Sequence, residues 1–348
     1  MLARIPVLLL LISVGMGYSL QAQDIHFSQF YETTLLRNPA LCGIFKGDYK
    51  VSLNYRNQWS SISKPFVTGQ LSVESRIPIS SESEDFFSVG LLGLYDKAGS
   101  IDMQTTAVYP AVNFSKKLES VHASYLTVGF VGGYLQRSFD PGKMTTNSQY
   151  GNGGYDPTAP TRENSVQNTL HYFDIGAGIN YSSSTGTNND LTYFVGFAGY
   201  HFTQPRTSFY QNAQVRMSVK WNANAGFAYR INDWYGVMMQ GNYTQQGAYS
   251  EVIIGGLANW KKGGENELRQ PDFIFYLGAF YRWKDALIPV LKLDYKGYSL
   301  GMSYDVNLSK LVTASHARGG TEVSLVKTGL FSNPKWNYSR TSCPQYGW

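Results

Sequence analysis

Hydrophobic and polar positions alternate with period two along much of the chain. From Val215 to Arg230 the odd positions are Val215, Met217, Val219, Trp221, Ala223, Ala225, Phe227 and Tyr229, and the even ones include Arg216, Ser218, Lys220, Asn222, Asn224 and Arg230. Side chains alternate across a strand, so this spacing predicts one long strand with an apolar and a polar face. Tyr49–Trp59, Phe66–Ile77, Tyr172–Tyr181 and Tyr298–Val306 show the same pattern. Weaker strand-like segments lie at about 86–96, 101–115, 121–137, 190–202, 233–245, 248–260, 272–283, 287–295 and 319–330. A run such as 215–230 far exceeds the usual strand of about 5–6 residues, whereas crossing a bilayer takes about 9–11 tilted residues. The fold class expected is therefore all-β. It is a transmembrane antiparallel β-barrel of about 14 strands over residues 49–330, an even count that leaves both termini on the periplasmic side. A soluble β-sandwich would have shorter strands and more Lys and Glu on its polar face.

The connections sharpen this picture. With periplasmic termini, the outward connections are about 60–64, 97–100, 138–169, 203–213, 246–248, 284–286 and 307–318, and the three longest are among them, as in outer-membrane barrels. Tyr49 and Trp59, Tyr235 and Tyr243, Tyr249 and Trp260, and Phe273 and Trp283 stand near strand ends, where aromatic girdles sit. Residues 1–22 read as a secretory signal: a short positive start at Met1–Arg4, an apolar core at Ile5–Val14, then small residues, with cleavage expected between Ala22 and Gln23. Two segments flank the barrel, a periplasmic N-terminal one at 23–48 and a periplasmic C-terminal tail at 331–348. Either could plug the lumen or meet a periplasmic partner.

Composition fits the same class. Aromatics make up 15% and charged residues only 15% of the 348 residues, and Gly is 35, against about 25% charged for a soluble protein. The net charge of +5 is small and scattered, so no nucleic-acid partner is expected. On the clear strands the lumen-facing positions carry Lys50, Arg56, Glu74, Arg76, Asp174, Arg216, Lys220, Arg230 and Asp305, a mildly cationic lining. Fourteen strands leave an interior that water, a loop, a terminus or a cargo peptide should occupy. The two cysteines, Cys42 and Cys343, stand near opposite ends of the mature chain; a disulfide and two unrelated thiols both remain open. The five histidines (His26, His122, His171, His201, His316) form no metal-ligand spacing, and no nucleophile elbow occurs. Neither enzyme chemistry nor a cofactor or metal is expected.

Short motifs add a resemblance. Phe27-Ser28-Gln29 is followed by Asn38-Pro39-Ala40 leading to Gly43, then by Asn54-Tyr55-Arg56-Asn57-Gln58-Trp59 opening into Pro65-Phe66. Near the end come Gly319, Gly320, Glu322, Ser324 and Leu325, and the chain closes with Cys343-Pro344. In this order the motifs resemble the PorP/SprF family of the Bacteroidetes type IX secretion system. The close differs, with Gln345-Tyr346-Gly347-Trp348 where the family often has Arg-Phe, and Cys42 stands where a small residue is more usual. The resemblance implies an integral outer-membrane barrel, without catalysis, that partners the secretion or surface anchoring of a large adhesin-like cargo or couples to the periplasmic motor ring. It marks Phe27, Ser28, Gln29, Asn38, Pro39, Tyr55, Arg56, Asn57, Gln58, Trp59, Gly319, Gly320, Glu322, Cys343 and Pro344 as candidate partner contacts. Outer-membrane lipid, the secreted cargo and other components of the secretion system are the partners it implies. A general porin or solute channel is the alternative.

Overall fold

The structure is a computed structural model. It describes residues 24–60, 64–79, 84–119, 123–151, 153–163, 167–186, 189–262, 273–309 and 312–331. The expected signal (1–22), most of the tail, and Cys343 and Pro344 lie outside these residues.

Neighbouring strands pair antiparallel, and β1 (Tyr49–Gln58) pairs with β16 (Arg318–Gly329) to close the cylinder. Between them run β2 (Phe66–Pro78), β3 (Phe86–Ala98), β4 (Met103–Glu119), β5 (Ser124–Ser138), β8 (Thr169–Thr185), β9 (Leu191–Tyr200), β10 (Lys220–Arg230) and β11 (Tyr235–Gln246). β12 (Tyr249–Lys262), β13 (Phe273–Arg282), β14 (Ala286–Tyr295) and β15 (Tyr298–Asn307) complete the wall of fourteen strands. The two-residue strands β6 (Tyr150–Gly151) and β7 (Gly154–Tyr155) form a separate hairpin in the longest loop. Both chain termini of the barrel lie at one end, here the terminal end. The long connections at 139–168 and 201–219 stand at the other, the loop end.

The wall is inverted relative to a soluble protein. Leu53, Leu71, Leu91, Phe130, Ile175, Val195, Leu277 and Leu291 point outward and are exposed, Phe173 at 71%. Ser52, Asn54, Arg56, Glu74, Asn180, Asn222 and Glu322 point inward and are buried, Arg56 at 1%. An apolar face this continuous exceeds what a soluble monomer leaves to water, and it suits a hydrocarbon environment.

The lumen is filled by the chain itself. Residues 24–48, expected as a periplasmic segment, run inside the cylinder. They pass from the loop end, where Asp24 meets Lys220, to the terminal end, where Asp48 N–H donates to Gly329 O. This plug contains one short helix, α1 (Thr34–Arg37), and a 3₁₀ turn (Pro39–Leu41). Its apolar side chains build cores against inward wall residues. Phe27, Leu35 and Cys42 pack with Leu92, Leu94, Tyr109, Val131 and Leu135. Phe30 and Tyr31 pack with Ile253, Leu257, Ile274, Tyr276, Phe280 and Ile288. The second core explains why β13 and β14 alternate weakly in sequence: both of their faces are apolar, one toward lipid and one toward the plug.

One strand is shorter than its pattern. The alternation from Val215 predicted a strand through Arg230, but β10 begins at Lys220. Before it, the chain folds back on itself: Thr207 N–H donates to Val215 O, Met217 N–H to Pro205 O, and Arg206 bridges Arg216. Arg216 is thus an exposed loop residue and does not line the lumen. The β-like period persists there because the excursion is itself extended and paired.

Candidate functional site

Three of the sequence motifs converge on one buried knot between plug and wall. The Asn54–Trp59 and Gly319–Leu325 motifs lie side by side on the closing pair β1–β16, with Arg56 opposite Glu322 and Asn54 opposite Ser324. The inward residues of both motifs, Asn54, Arg56, Glu322 and Ser324, face the lumen, where Arg56, Glu322 and Ser324 meet the segment His26–Gln29. The Glu322 carboxylate accepts the Ser28 N–H at 2.7 Å and the Gln29 N–H at 2.9 Å. Ser324 Oγ donates to Gln29 Oε1 at 2.7 Å, and Gln29 Nε2 donates to Glu322 O at 3.1 Å. Ser28 Oγ donates to Asp305 at 2.6 Å and accepts from Arg282 Nη2 at 2.7 Å. Arg56 holds the other side, donating to His26 O at 2.6 Å and to Asp305 at 2.8 Å. Arg282 also pairs with Asp305 at 3.1 Å and with Glu251 at 3.3 Å. A carboxylate can be buried only when paired and hydrogen-bonded, and here each carboxylate has cationic or N–H partners.

The middle of the plug is held by its second motif. Asn38 caps the 3₁₀ turn, its Oδ1 accepting from Ala40 N–H at 2.9 Å, with Pro39 in the first position of the turn. Its Nδ2 donates to Ile179 O at 3.1 Å. Asn113 Nδ2 donates to Pro39 O and Cys42 O. Arg37 donates to Gln240 at 2.6 Å and lies between the rings of Phe30 and Phe194. The wall is hollowed to admit this stretch. Inward-facing Gly129 lies beneath the Pro39–Ala40 backbone, Gly178 and Gly196 beneath the Asn38 amide, Gly90 beneath Cys42 and Leu35, and Gly301 beneath Gln29; a Cβ at any of them would strike the plug.

Toward the terminal end, Glu74 pairs with Lys50 at 3.0 Å and accepts from Thr34 Oγ1 and Gly43 N–H. Arg76 donates to the carbonyls of Gly43 and Phe45, and Lys292 reaches Glu32 at 2.7 Å. At the loop end, the Asp24 carboxylate meets Lys220 at 2.7 Å and His201 Nε2 at 3.4 Å, while His201 Nδ1 lies 2.7 Å from Asp174. His201, just past β9, adopts φ 61°, the left-handed region, which aims its ring inward at a local cost of roughly 1–2 kcal/mol. Burial alone would lower its pKa; hydrogen bonds and charges from Asp174 and Asp24 override this and raise it to about 9. Burial alone would raise the Asp24 carboxyl, but Lys220 and His201 hold it well below the usual carboxylate range.

Among the expected lumen positions, Lys50, Arg56, Glu74, Arg76, Asp174, Lys220 and Asp305 are inward and buried, and Arg230 pairs with Asp190 at the terminal rim. Among the motif positions, Phe27, Ser28, Gln29, Asn38 and Pro39 are buried against the chain's own wall, and Arg56 and Glu322 are buried wall residues that face them. Tyr55 faces outward, and Trp59, its ring edge-on to Phe66, stands at the loop-end rim beside Gly319. Asp24, Glu32, Arg37, His201, Glu251, Arg282 and Lys292 were not singled out from sequence. The excess of basic over acidic positions on the lining was the signal that acidic partners such as Asp24 and Glu32 must exist. Cys42 is a buried thiol against Gly90. Among the described residues no cluster of His, Cys, Asp and Glu suits a metal ion.

A closed antiparallel cylinder with an apolar exterior and a packed, charged interior defines an integral outer-membrane β-barrel. The chain belongs to the PorP/SprF family of type IX secretion system membrane proteins, whose family model matches residues 19–326. No curated protein matches it. Among solved structures it is similar to a Pseudomonas aeruginosa FadL homologue (11% identity, 85% of this chain and 93% of that one, TM-score 0.46). It is also similar to the CymD monoaromatic hydrocarbon channel (10%, 89% and 96%, TM-score 0.49) and the P. putida toluene transporter TodX (11%, 85% and 94%, TM-score 0.47).

Proposed function

We propose that this chain is a non-conducting, non-enzymatic outer-membrane component that partners the secretion or surface anchoring of a large adhesin-like protein. The observation that carries this reading is the occupied lumen. The plug is joined to the wall by ion pairs from Asp24 to Lys220 and from Glu32 to Lys292, and by hydrogen bonds to Glu322, Asp305, Glu74 and Arg76, and the wall glycines are shaped to it. A barrel filled in this way offers its rims and outer face to partners rather than a conduit. Trp59 at the loop-end rim, Tyr55 on the outer face of β1, and the tail with Cys343 and Pro344, are the motif positions proposed to meet such partners. Coupling to the periplasmic motor ring would use the terminal end instead.

Deleting the gene is expected to abolish surface display of one adhesin-like protein while leaving other type IX cargo exported; unchanged display of every surface adhesin would sink the reading. The purified barrel is expected to be electrically silent in planar bilayers. Stable open channels would favour the solute-channel alternative.

A further inference from the structure

The direction in which the plug threads the barrel carries a consequence of its own. β1 leaves from the terminal end, yet the residues preceding it climb the whole lumen, so the leading end of the described chain sits at the opposite rim. Asp48 is tied to Gly329 at the terminal end. Gly43 and Glu74 come next, then Asn38 beside Ile179 at mid-wall. Ser28 meets Asp305 and Arg282 near the loop-end termini of β15 and β13. Asp24 is held by three groups that all belong to the loop-end rim: Lys220, the first residue of β10; Gln246, the last of β11; and His201, just beyond β9. A partly open cleft of about 40 Å³ beside it is lined by His26, Asn222, Asn242, Gln246 and Glu251, so this stretch is not sealed beneath the loops. Outer-membrane barrels keep their short turns in the periplasm and their long loops outside, and the long connections 139–168 and 201–219 share this rim.

We infer that the mature N-terminus is delivered through the lumen to the cell-surface face of the barrel and latched there by Asp24 on Lys220 and His201. The leading end then stands beside the long loops, within reach of whatever binds them from outside, while Phe331, the last described residue, stays with Asp48 at the opposite end.

The test uses the full-length protein in cells, with Cys42 and Cys343 replaced by serine and one thiol returned at a time. A Gly-Cys-Gly insertion between Gln23 and Asp24 reports the leading end; Gln214→Cys reports the loop end and Lys116→Cys the terminal end. Each variant is first checked for heat-modifiable migration, the mark of a folded barrel. A small charged, membrane-impermeant methanethiosulfonate is expected to label the insertion and Gln214→Cys on intact cells, and Lys116→Cys only after permeabilisation. An insertion that behaves like Lys116→Cys would overturn the threading, and exchanged behaviour of the two controls would overturn the outward assignment.

Discussion

Replacing Glu322 by Ala tests whether the buried knot is what anchors the plug. The substitution strips two charge-assisted acceptors from Ser28 N–H and Gln29 N–H and leaves Arg56 with Asp305 as its close carboxylate. Removing one partner of a buried, hydrogen-bonded charge cluster costs about 3–5 kcal/mol. At about 1.4 kcal/mol per factor of ten, the population with a released plug should rise on the order of 10²–10³-fold. Cys42 supplies a native probe, because its thiol is fully buried between plug and wall. In a Cys343→Ser background at fixed pH, its alkylation rate scales with the population of opened molecules when closing outpaces labelling. The ratio of variant to parent rates therefore reads the free-energy change directly, whatever the absolute stability of the plug. Glu322→Gln keeps one acceptor oxygen and should accelerate labelling only about tenfold, in keeping with about 1–3 kcal/mol for an unsatisfied buried group. A Glu322→Ala rate within threefold of the parent would refute the claim that this carboxylate holds the plug.

Gly129→Leu should raise Cys42 alkylation by roughly 5- to 100-fold, since the new side chain collides with the Pro39–Ala40 backbone and overpacking costs about 1–3 kcal/mol; Gly132→Leu, on the lipid side with open space around it, should leave the rate unchanged. Leu291→Arg puts a charge on the outward face in the middle of β14 and should destabilise the barrel in lipid vesicles by about 2–4 kcal/mol, measured by equilibrium unfolding in urea. The His201 latch depends on pH in a defined direction. Its pKa is raised in the folded state, so its contribution is complete below about 6.5 and is lost as pH rises through about 9. Protease cleavage near Asp24 should therefore accelerate between pH 8 and 10, and His201→Gln should remove that dependence.

The wall was legible because a lipid-facing strand repeats every two residues over its full length. β1, β2, β8 and β15 declared themselves this way, and the expected count of fourteen is the count found. The reading faltered where tertiary structure changed the meaning of the pattern. β13 blurred because Ile274, Tyr276 and Phe280 face a protein core while Phe273, Phe275 and Leu277 face lipid. Val215–Val219 kept the period although they lie beyond the rim, since alternation marks extended backbone and not membership of the barrel. The plug itself has no period to read. Arg56 and Glu322 are set opposite each other by closure of the cylinder, and Gln29 meets Glu322 because the plug threads the lumen, relations that no local spacing encodes. The motifs marked these residues as a set, yet only the folded chain shows that Ser28, Arg56 and Glu322 recognise one another.

The filled interior also bears on mechanics. An empty cylinder of fourteen tilted strands can flatten toward an ellipse when pulled sideways, because the hydrogen-bonded sheet bends more easily than it stretches. With Phe30 and Tyr31 wedged against β13, Pro39 seated on Gly129 and Arg56 cross-bracing β1 to β15, that deformation would have to compress a close-packed core, and such interiors yield very little. The filled barrel is thus stiffer against sideways deformation than an empty cylinder of the same strand number.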